Sequence, residues 1–246
     1  MNPDTSEGTS EGTTEGRPAP EDGPAPSVEF FFDLMCPWAY QGAIWIREVR
    51  ARTGLDITWR FFSLEEINRV EGKKHPWERD WSYGWSQMRV AAMIRRRSQA
   101  EVDRWYEIFG KAFHEDAMRT HEPEVHRALL EANGFGGETL DDALADPTTT
   151  DEVRADHDFV VREHGAFGVP TLVFPDGRSI FGPVVVPAPR GAEAERLWDV
   201  TLAWNDFPHL YEMRHPKRDQ DMRVIAQTFE PYLRARAWNT IENPAP

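Results

Sequence analysis

The chain has 246 residues, of which 40% are hydrophobic and 28% are charged, so it can bury a substantial core. Its net charge of −14 and its scattered Lys and Arg residues argue against nucleic-acid binding, which needs a basic surface. A single cysteine excludes an internal disulfide and is typical of a reducing compartment. We find no secretory signal and no apolar run long enough to span a membrane, and we predict a cytoplasmic protein.

The first 27 residues are rich in Ser, Thr, Glu, Gly and Pro, and we predict that they form a disordered acidic tail. The aromatic and β-branched segment 28–33 predicts a buried strand. Pro37 opens a predicted helix over 37–53 that ends before Gly54, and segment 56–62 predicts a second strand. A strand, a helix and a strand in this order form a parallel unit with a right-handed crossover.

Helical periodicity dominates the next hundred residues. The predicted helices cover 77–97, 101–119, 122–133, 140–144 and 150–165, the last with Thr150 as its N-cap. Within the first of these, the run Arg95-Arg96-Arg97 predicts a solvated helix face, with a docking site for an anionic ligand as the alternative.

The pattern then returns to strands at 171–174 and 178–181, joined by a hairpin turn, and a helix over 193–204 follows. A last amphipathic stretch is predicted over 222–238. We expect its apolar Ile225, Phe229 and Leu233 to dock on the body, and an exposed partner-binding helix is the alternative.

Cys36 stands between the first predicted strand and the first predicted helix. Pro37 suits the first helical position, where no partner exists for an N–H, and this places Cys36 at the N-cap. There the sulfur can accept hydrogen bonds from the amides of Trp38 and Ala39 at the positive end of the helix dipole. Such an environment gives a cysteine a pKa of about 3.5–7.5, so a nucleophilic thiolate is predicted. The alternative is a small buried hydrophobic residue, which is the commoner role of a lone cysteine.

A second element is the run Gly168-Val169-Pro170-Thr171, in which a proline directly precedes a strand. Only about 5–6% of X–Pro bonds are cis, so Pro170 alone predicts an ordinary proline at the start of a strand.

Together, Asp33-x-x-Cys36-Pro37-Trp38 and Gly168-Val169-Pro170-Thr171, separated by a helical region, resemble the DsbA-like branch of the thioredoxin superfamily. Segments 181–184, 189–191, 197–199 and 207–209 resemble more closely the actinobacterial mycothiol-dependent nitroreductases of that branch. The resemblance implies an α/β, thioredoxin-like fold with a helical insertion between a βαβ unit and a ββα unit. We expect residues 1–27 to be the tail, 28–63 and 166–207 the thioredoxin-like domain, 64–165 the inserted helical domain and 208–246 a C-terminal extension.

The resemblance also implies a thiol-dependent oxidoreductase whose catalytic residue is Cys36, with Pro37, Trp38 and Ala39 completing the motif. Pro170 would be the cis-proline that faces it, and Val169, Pro170 and Thr171 would bind the thiol. Four residues of the insertion are further candidates for the pocket, although a purely structural role is the alternative for each: Trp85, Arg89, Tyr106 and His114.

The sequence departs from related redox enzymes at Ala39, where they carry a second cysteine. Because no internal disulfide can form, thiol–disulfide exchange must pass through a mixed disulfide with an external thiol. We therefore predict a monothiol oxidoreductase that uses mycothiol or glutathione as cosubstrate to act on a disulfide or a small electrophile such as a nitro compound. No tightly bound cofactor, metal site, nucleic-acid partner or membrane partner is predicted, and the oligomeric state is left open.

Two other functional classes stay open at this point. Kappa-class glutathione transferases and hydroxychromene carboxylate isomerases share the fold and often have Ser where Cys36 stands, so the protein could activate a bound thiol without redox chemistry. The third hypothesis is a redox-inactive binding or chaperone module.

Overall fold

The computed structural model describes residues 26–237. The elements in chain order are β1 (Ser27–Phe32), α1 (Pro37–Thr53), β2 (Asp56–Phe61), α2 (Leu64–Ile67), a short 3-10 helix (Pro76–Glu78), α3 (Trp85–Arg95), α4 (Gln99–His114), α5 (Pro123–Ala132), α6 (Thr139–Ala145), α7 (Pro147–His164), β3 (Thr171–Val173), β4 (Ser179–Phe181), α8 (Ala192–Asn205) and α9 (Asp219–Ala235).

The two ends of the described segment limit what can be said of the predicted termini. Residues 1–25 of the predicted tail lie outside the described residues, as does the end of the last predicted helix beyond residue 237. Ser27, by contrast, pairs with Asp56 of β2, and the Asp56 amide donates to the Pro26 carbonyl at 2.8 Å. Strand β1 therefore begins at Ser27, one residue earlier than the sequence predicts.

One four-stranded sheet forms the centre, with the strand order β2-β1-β3-β4. β1 runs parallel to β2, with α1 as the crossover, and antiparallel to β3, which pairs antiparallel with β4. Helices α2 to α7 lie between β2 and β3 in the chain. This topology brings the start of β3 next to β1, although more than 130 residues separate them in sequence.

The central strand β1 is buried on both faces. Successive side chains of the strand point to opposite faces of the sheet. Phe30 and Phe32 pack against Trp59, at ring distances of 5.1 and 5.8 Å, and Phe31 packs against Phe159 of α7, at 6.4 Å. All three Phe side chains are fully buried, which stabilises the fold by roughly 1.5–3 kcal/mol for each ring. This packing holds the carboxyl end of β1, and with it Cys36, in a fixed position.

Two predicted helices extend well beyond the observed ones. α3 begins at Trp85 rather than at residue 77, because the Glu65 carboxylate accepts the amides of Gly84 and Trp85 at 3.1 and 3.2 Å and caps the helix there. α4 ends at His114 rather than at residue 119, because the chain then turns through Ala117, whose φ is 56°.

The prediction of Thr150 as a helix N-cap is wrong. Asp146 caps α7, because its carboxylate accepts the Thr148 amide at 2.9 Å and Pro147 occupies the first helical position.

The arginine run at the end of α3 forms specific contacts, and Arg96 and Arg97 are exposed, as expected for the predicted solvated face. Arg95 pairs with Asp156, and Arg96 pairs with Asp146 at 2.6 Å. These ion pairs join α3 to α7 and to its N-cap, which explains the basic cluster without an anionic ligand.

Within residues 26–237, no helix combines the length and the apolar character needed to cross a bilayer.

Candidate functional site

Cys36 lies in the tight turn between β1 and α1. Its amide donates to the carbonyl of Asp33 at 3.0 Å, and its backbone is extended, so Cys36 is the N-cap of α1 with Pro37 as the first helical residue. The amide of Ala39 donates to the Cys36 sulfur at 3.4 Å. The local geometry predicted from the sequence around the cysteine is therefore confirmed.

The loop before β3 faces this turn. The Val169–Pro170 peptide bond is cis, and the Cys36 Sγ lies 4.0 Å from the Val169 carbonyl oxygen, to which the thiol donates. The Thr171 hydroxyl donates to the Gly168 carbonyl at 2.8 Å and so stabilises the loop itself. Pairing of β3 with β1 thus brings the two sequence motifs together.

Burial dominates the electrostatics of the thiol. Cys36 is only 5% exposed, and this desolvation raises its pKa to about 12. The Ala39 amide lowers the pKa, and the negative charge of Asp33 raises it further. In this conformation, desolvation of the charged sulfur outweighs the stabilising amides, so burial opposes the predicted acidic thiolate.

Asp33 holds the turn before the cysteine. Its two carboxylate oxygens accept the amides of Met35 and Leu64, each at 2.9 Å. Burial raises the pKa of Asp33 to about 6, although these two hydrogen bonds act in the opposite direction. The sequence motif includes Asp33 but does not indicate this role, in which its negative charge raises the pKa of the Cys36 thiol.

Two of the four candidate pocket residues lie close to the cysteine turn. Tyr106 stacks on Phe32 at a ring distance of 4.1 Å, and its hydroxyl is buried with no partner in the described part of the chain. His114 donates from Nε2 to the Leu34 carbonyl at 2.9 Å. Burial lowers the pKa of His114 to about 4, so the ring is neutral at pH 7 and has no acidic proton to give.

The other two candidates serve the helical core. The Arg89 guanidinium donates to the carbonyls of Ala143 and Leu144, both at 2.9 Å, and so anchors α3 to the end of α6. Trp85 is buried, and its ring packs against Trp77 at 5.0 Å. The structure explains both residues by packing, and neither joins the cysteine turn.

Sequence reasoning missed Tyr40, which extends the site along α1. Its hydroxyl donates to the Glu115 carboxylate at 2.7 Å, and its ring stacks on His114 at 4.9 Å. The Tyr40 ring packs directly against the backbone of α4 at Gly110, where a side chain would not fit, because a Cβ there would lie 2.3 Å from the ring. An aromatic residue on a helix indicates only a buried face, so the sequence contained no signal for this pairing.

The C-terminal helix α9 packs over the motif. Phe229 is buried and meets the Trp38 ring edge-on at 4.8 Å, whereas Leu233 is 40% exposed, so docking was predicted correctly for the first residue and wrongly for the second. Tyr232 lies 5.6 Å from His114. Beside this contact, a cavity of about 370 Å³ lies between parts of α1 and α9. Its lining includes Pro37, Tyr40, Gln41, His114, Arg190 and Phe229.

Among residues 26–237, no group of three or more His, Cys, Asp or Glu side chains is arranged to hold a metal ion.

Comparison with known proteins adds the family. A family model described as "Rv2466c-like: Mycothiol-dependent nitroreductase Rv2466c" matches residues 35–215. The chain belongs to this family. The match includes Cys36 and the Val169–Pro170 loop and ends before α9. A relative from Mycobacterium tuberculosis (strain ATCC 25618 / H37Rv), "Uncharacterized protein Rv2286c", is 53% identical over 215 residues, which cover 87% of this chain and 93% of that protein.

Solved structures agree on the fold. The probable DsbA oxidoreductase SCO1869 from Streptomyces coelicolor matches with a TM-score of 0.53 at 22% identity, over 78% of this chain and 93% of that one. The cytosolic disulfide reductase DsbM from Pseudomonas aeruginosa with GSH matches with a TM-score of 0.51 at 15% identity, over 72% of this chain and 99% of that one. The predicted DsbA-like, thioredoxin-like fold is confirmed, and family membership makes the chain a thiol-dependent oxidoreductase.

Proposed function

We propose that this protein uses Cys36 and a low-molecular-weight thiol, mycothiol, to reduce a small electrophile such as a nitro compound or to exchange disulfides. The observation that carries the proposal is the placement of the only cysteine at the N-cap of α1, with its sulfur 4.0 Å from the Val169 carbonyl, in a chain of the mycothiol-dependent nitroreductase family. A single cysteine and a small-thiol cosubstrate both fit a reducing compartment, so a cytoplasmic location is part of the proposal.

The absence of a second cysteine determines the electron balance. Cys36 and one mycothiol give up two electrons and two protons to the acceptor as they join in a mixed disulfide. A second mycothiol then attacks that disulfide, releases the symmetric mycothiol disulfide and returns Cys36 to the thiol. For a nitro group, one cycle yields the nitroso compound and water. Two external thiols are consumed, and the protein never needs an internal disulfide.

The residues around the sulfur supply binding and orientation. In the proposal, the Val169 backbone pairs with the extended thiol as a neighbouring strand would, while Pro170 and Thr171 fix the loop. Trp38 forms a wall, and the amide of Ala39 stabilises the sulfur when it leaves as thiolate. Glutathione is the competing cosubstrate, and a direct comparison of the two thiols decides between them.

The test is mass spectrometry of the purified protein after incubation with mycothiol disulfide. We expect the mass to rise by one mycothiol unit on Cys36, and reduced mycothiol to remove the adduct. Cys36→Ser is the matched variant and should form no adduct and show no mycothiol-dependent consumption of a nitroaromatic compound. A wild-type protein that forms no adduct, even after prolonged incubation in mild denaturant, would remove the redox assignment.

A second function is favoured by one specific observation, the burial that raises the pKa of Cys36 to about 12. A protein that activates a bound thiol for transfer or isomerisation, as kappa-class glutathione transferases do, needs no thiolate at this position. The Cys36→Ser variant separates the two functions, because a hydroxyl can still donate to a bound thiolate. Retained turnover in that variant would favour the transferase or isomerase.

A further inference from the structure

The burial of the Cys36 sulfur in this structure is incompatible with a reaction between that atom and an incoming molecule. Thiol–disulfide exchange needs an incoming sulfur to reach the cysteine along the line of the bond that breaks. At 5% exposure, with its thiol hydrogen directed to the Val169 carbonyl, Cys36 has no open path to a molecule of that size. Some part of the described structure must move before the proposed chemistry can begin.

The elements that surround Cys36 differ greatly in how firmly they are held. β1 and α1 are core elements, and α4 buries nine of its residues. α9 is of similar length to α4 but buries only Phe229 and Ala235. α9 also contains Pro231 in its interior, which removes one helical hydrogen bond. Of these elements, α9 is the least firmly packed.

The connection to α9 allows it to move independently. Residues 206–218 form neither helix nor strand, and all of them except Leu210 are exposed. Below α9, the cavity of about 370 Å³ leaves its packing against α1 incomplete. A segment with few buried contacts, bordered by an exposed tether, belongs to the low-stability end of a structure and opens locally.

The docked face of α9 lies on residues around the cysteine. Phe229 meets Trp38, two residues beyond Cys36 in the motif, and the Lys217 ammonium lies over the same indole at 5.2 Å. Tyr232 packs against Phe113 and His114, each at a ring distance of 5.6 Å. Undocking α9 would uncover this aromatic rim without disturbing the sheet.

We infer that α9 is a lid over Cys36, closed in this structure, and that its undocking controls access of thiols and electrophiles to the sulfur. The inference concerns access to the site of the proposed function and rests on that function only in taking Cys36 as the atom to be reached. The thiol is protected while the lid is closed, and it becomes exposed to solvent and reactive when the lid opens.

Alkylation of Cys36 by iodoacetamide tests the lid without mycothiol or any nitro compound. Because the reagent reacts only with the open form, the observed rate follows the population of that form. Phe229→Ala should raise the rate about tenfold or more, since a tenfold change corresponds to a loss of only about 1.4 kcal/mol of docking free energy. The matched control is Leu233→Ala on the exposed face of the same helix, which should react at the wild-type rate.

Hydrogen exchange of the wild-type protein provides a measurement that does not depend on a variant. The amides of α9 should exchange together and at least tenfold faster than those of α1 and α4. Equal alkylation rates for Phe229→Ala and wild type, or exchange of α9 only together with α4, would overturn the lid. These results are separate from the proposed function, because a lid can guard a cysteine that forms no mycothiol adduct, and an adduct can form without a lid.

Discussion

Gly42 of α1 faces Pro170 of the loop beside Cys36 so closely that a side chain would not fit without a shift. A Cβ built on Gly42 would lie 3.0 Å from Cγ of Pro170 and 3.4 Å from the Phe30 ring. The absence of a side chain in the second turn of α1 is therefore what allows the loop to approach the cysteine.

Gly42→Ala tests this relationship. Alanine raises helix propensity by about 0.5–1 kcal/mol, but overpacking against Pro170 and Phe30 costs about 1–3 kcal/mol, so we expect a small net loss in the free energy of unfolding measured in urea. The displaced loop should also slow formation of the mycothiol adduct severalfold. Gly137→Ala is the control, because its nearest contacts lie at 3.5 Å or beyond. An unchanged adduct rate for Gly42→Ala would show that the close approach is not needed.

Asp33 should make stability fall as the pH rises through weakly acidic values. Burial raises its pKa from 3.8 to about 6, so the folded state holds a proton that the unfolded state has lost in this interval. The contribution of Asp33 is therefore largest below pH 4 and decreases by roughly 3 kcal/mol up to pH 6. From pH 4 to pH 7, the unfolding free energy of wild type should fall by roughly 3 kcal/mol relative to that of Asp33→Asn, and two parallel profiles would contradict the assignment.

His114 should have the opposite effect. Burial lowers its pKa from 6.5 to about 4, so the folded state favours the neutral ring. This contribution is complete above pH 6.5, and roughly 3 kcal/mol of it is lost as the pH falls to 4. His114→Gln retains a donor for the Leu34 carbonyl and should reduce the loss of stability between pH 7 and pH 4.5.

Ala39→Cys should convert the protein to a dithiol enzyme. Residue 39 lies on the same turn as Cys36, with its amide 3.4 Å from the sulfur, so a second sulfur there lies within reach of a disulfide. Thiol titration under denaturing conditions should find two thiols after reduction and none after oxidation. In the control Ala43→Cys, the new residue lies roughly 10 Å from Cys36 along the helix axis, and both thiols should survive oxidation. Survival in Ala39→Cys as well would exclude a latent dithiol site.

Whether a feature of this protein can be predicted from the sequence depends on how far apart in the chain the residues that determine it are. The N-cap at Cys36 and the first helical position at Pro37 depend on a few neighbouring residues, so composition and position predict them. The predicted start of α3 was wrong because the observed start depends on the Glu65 carboxylate, which belongs to another element. The sequence also could not distinguish between the candidate pocket residues. Only the tertiary structure shows that Tyr106 and His114 lie beside the cysteine turn, whereas Arg89 anchors a helix elsewhere.

The sequence by itself determined that one sulfur, at the start of one helix and without a second cysteine, must carry any thiol chemistry of this protein. It also determined the order of strands and helices, since periodicity and capping are local properties of the chain. Only the tertiary structure decided that this sulfur is buried and that its pKa rises rather than falls. The physical reason is that the amides of the first helical turn act locally, whereas desolvation is the sum of atoms that distant segments bring to the same place.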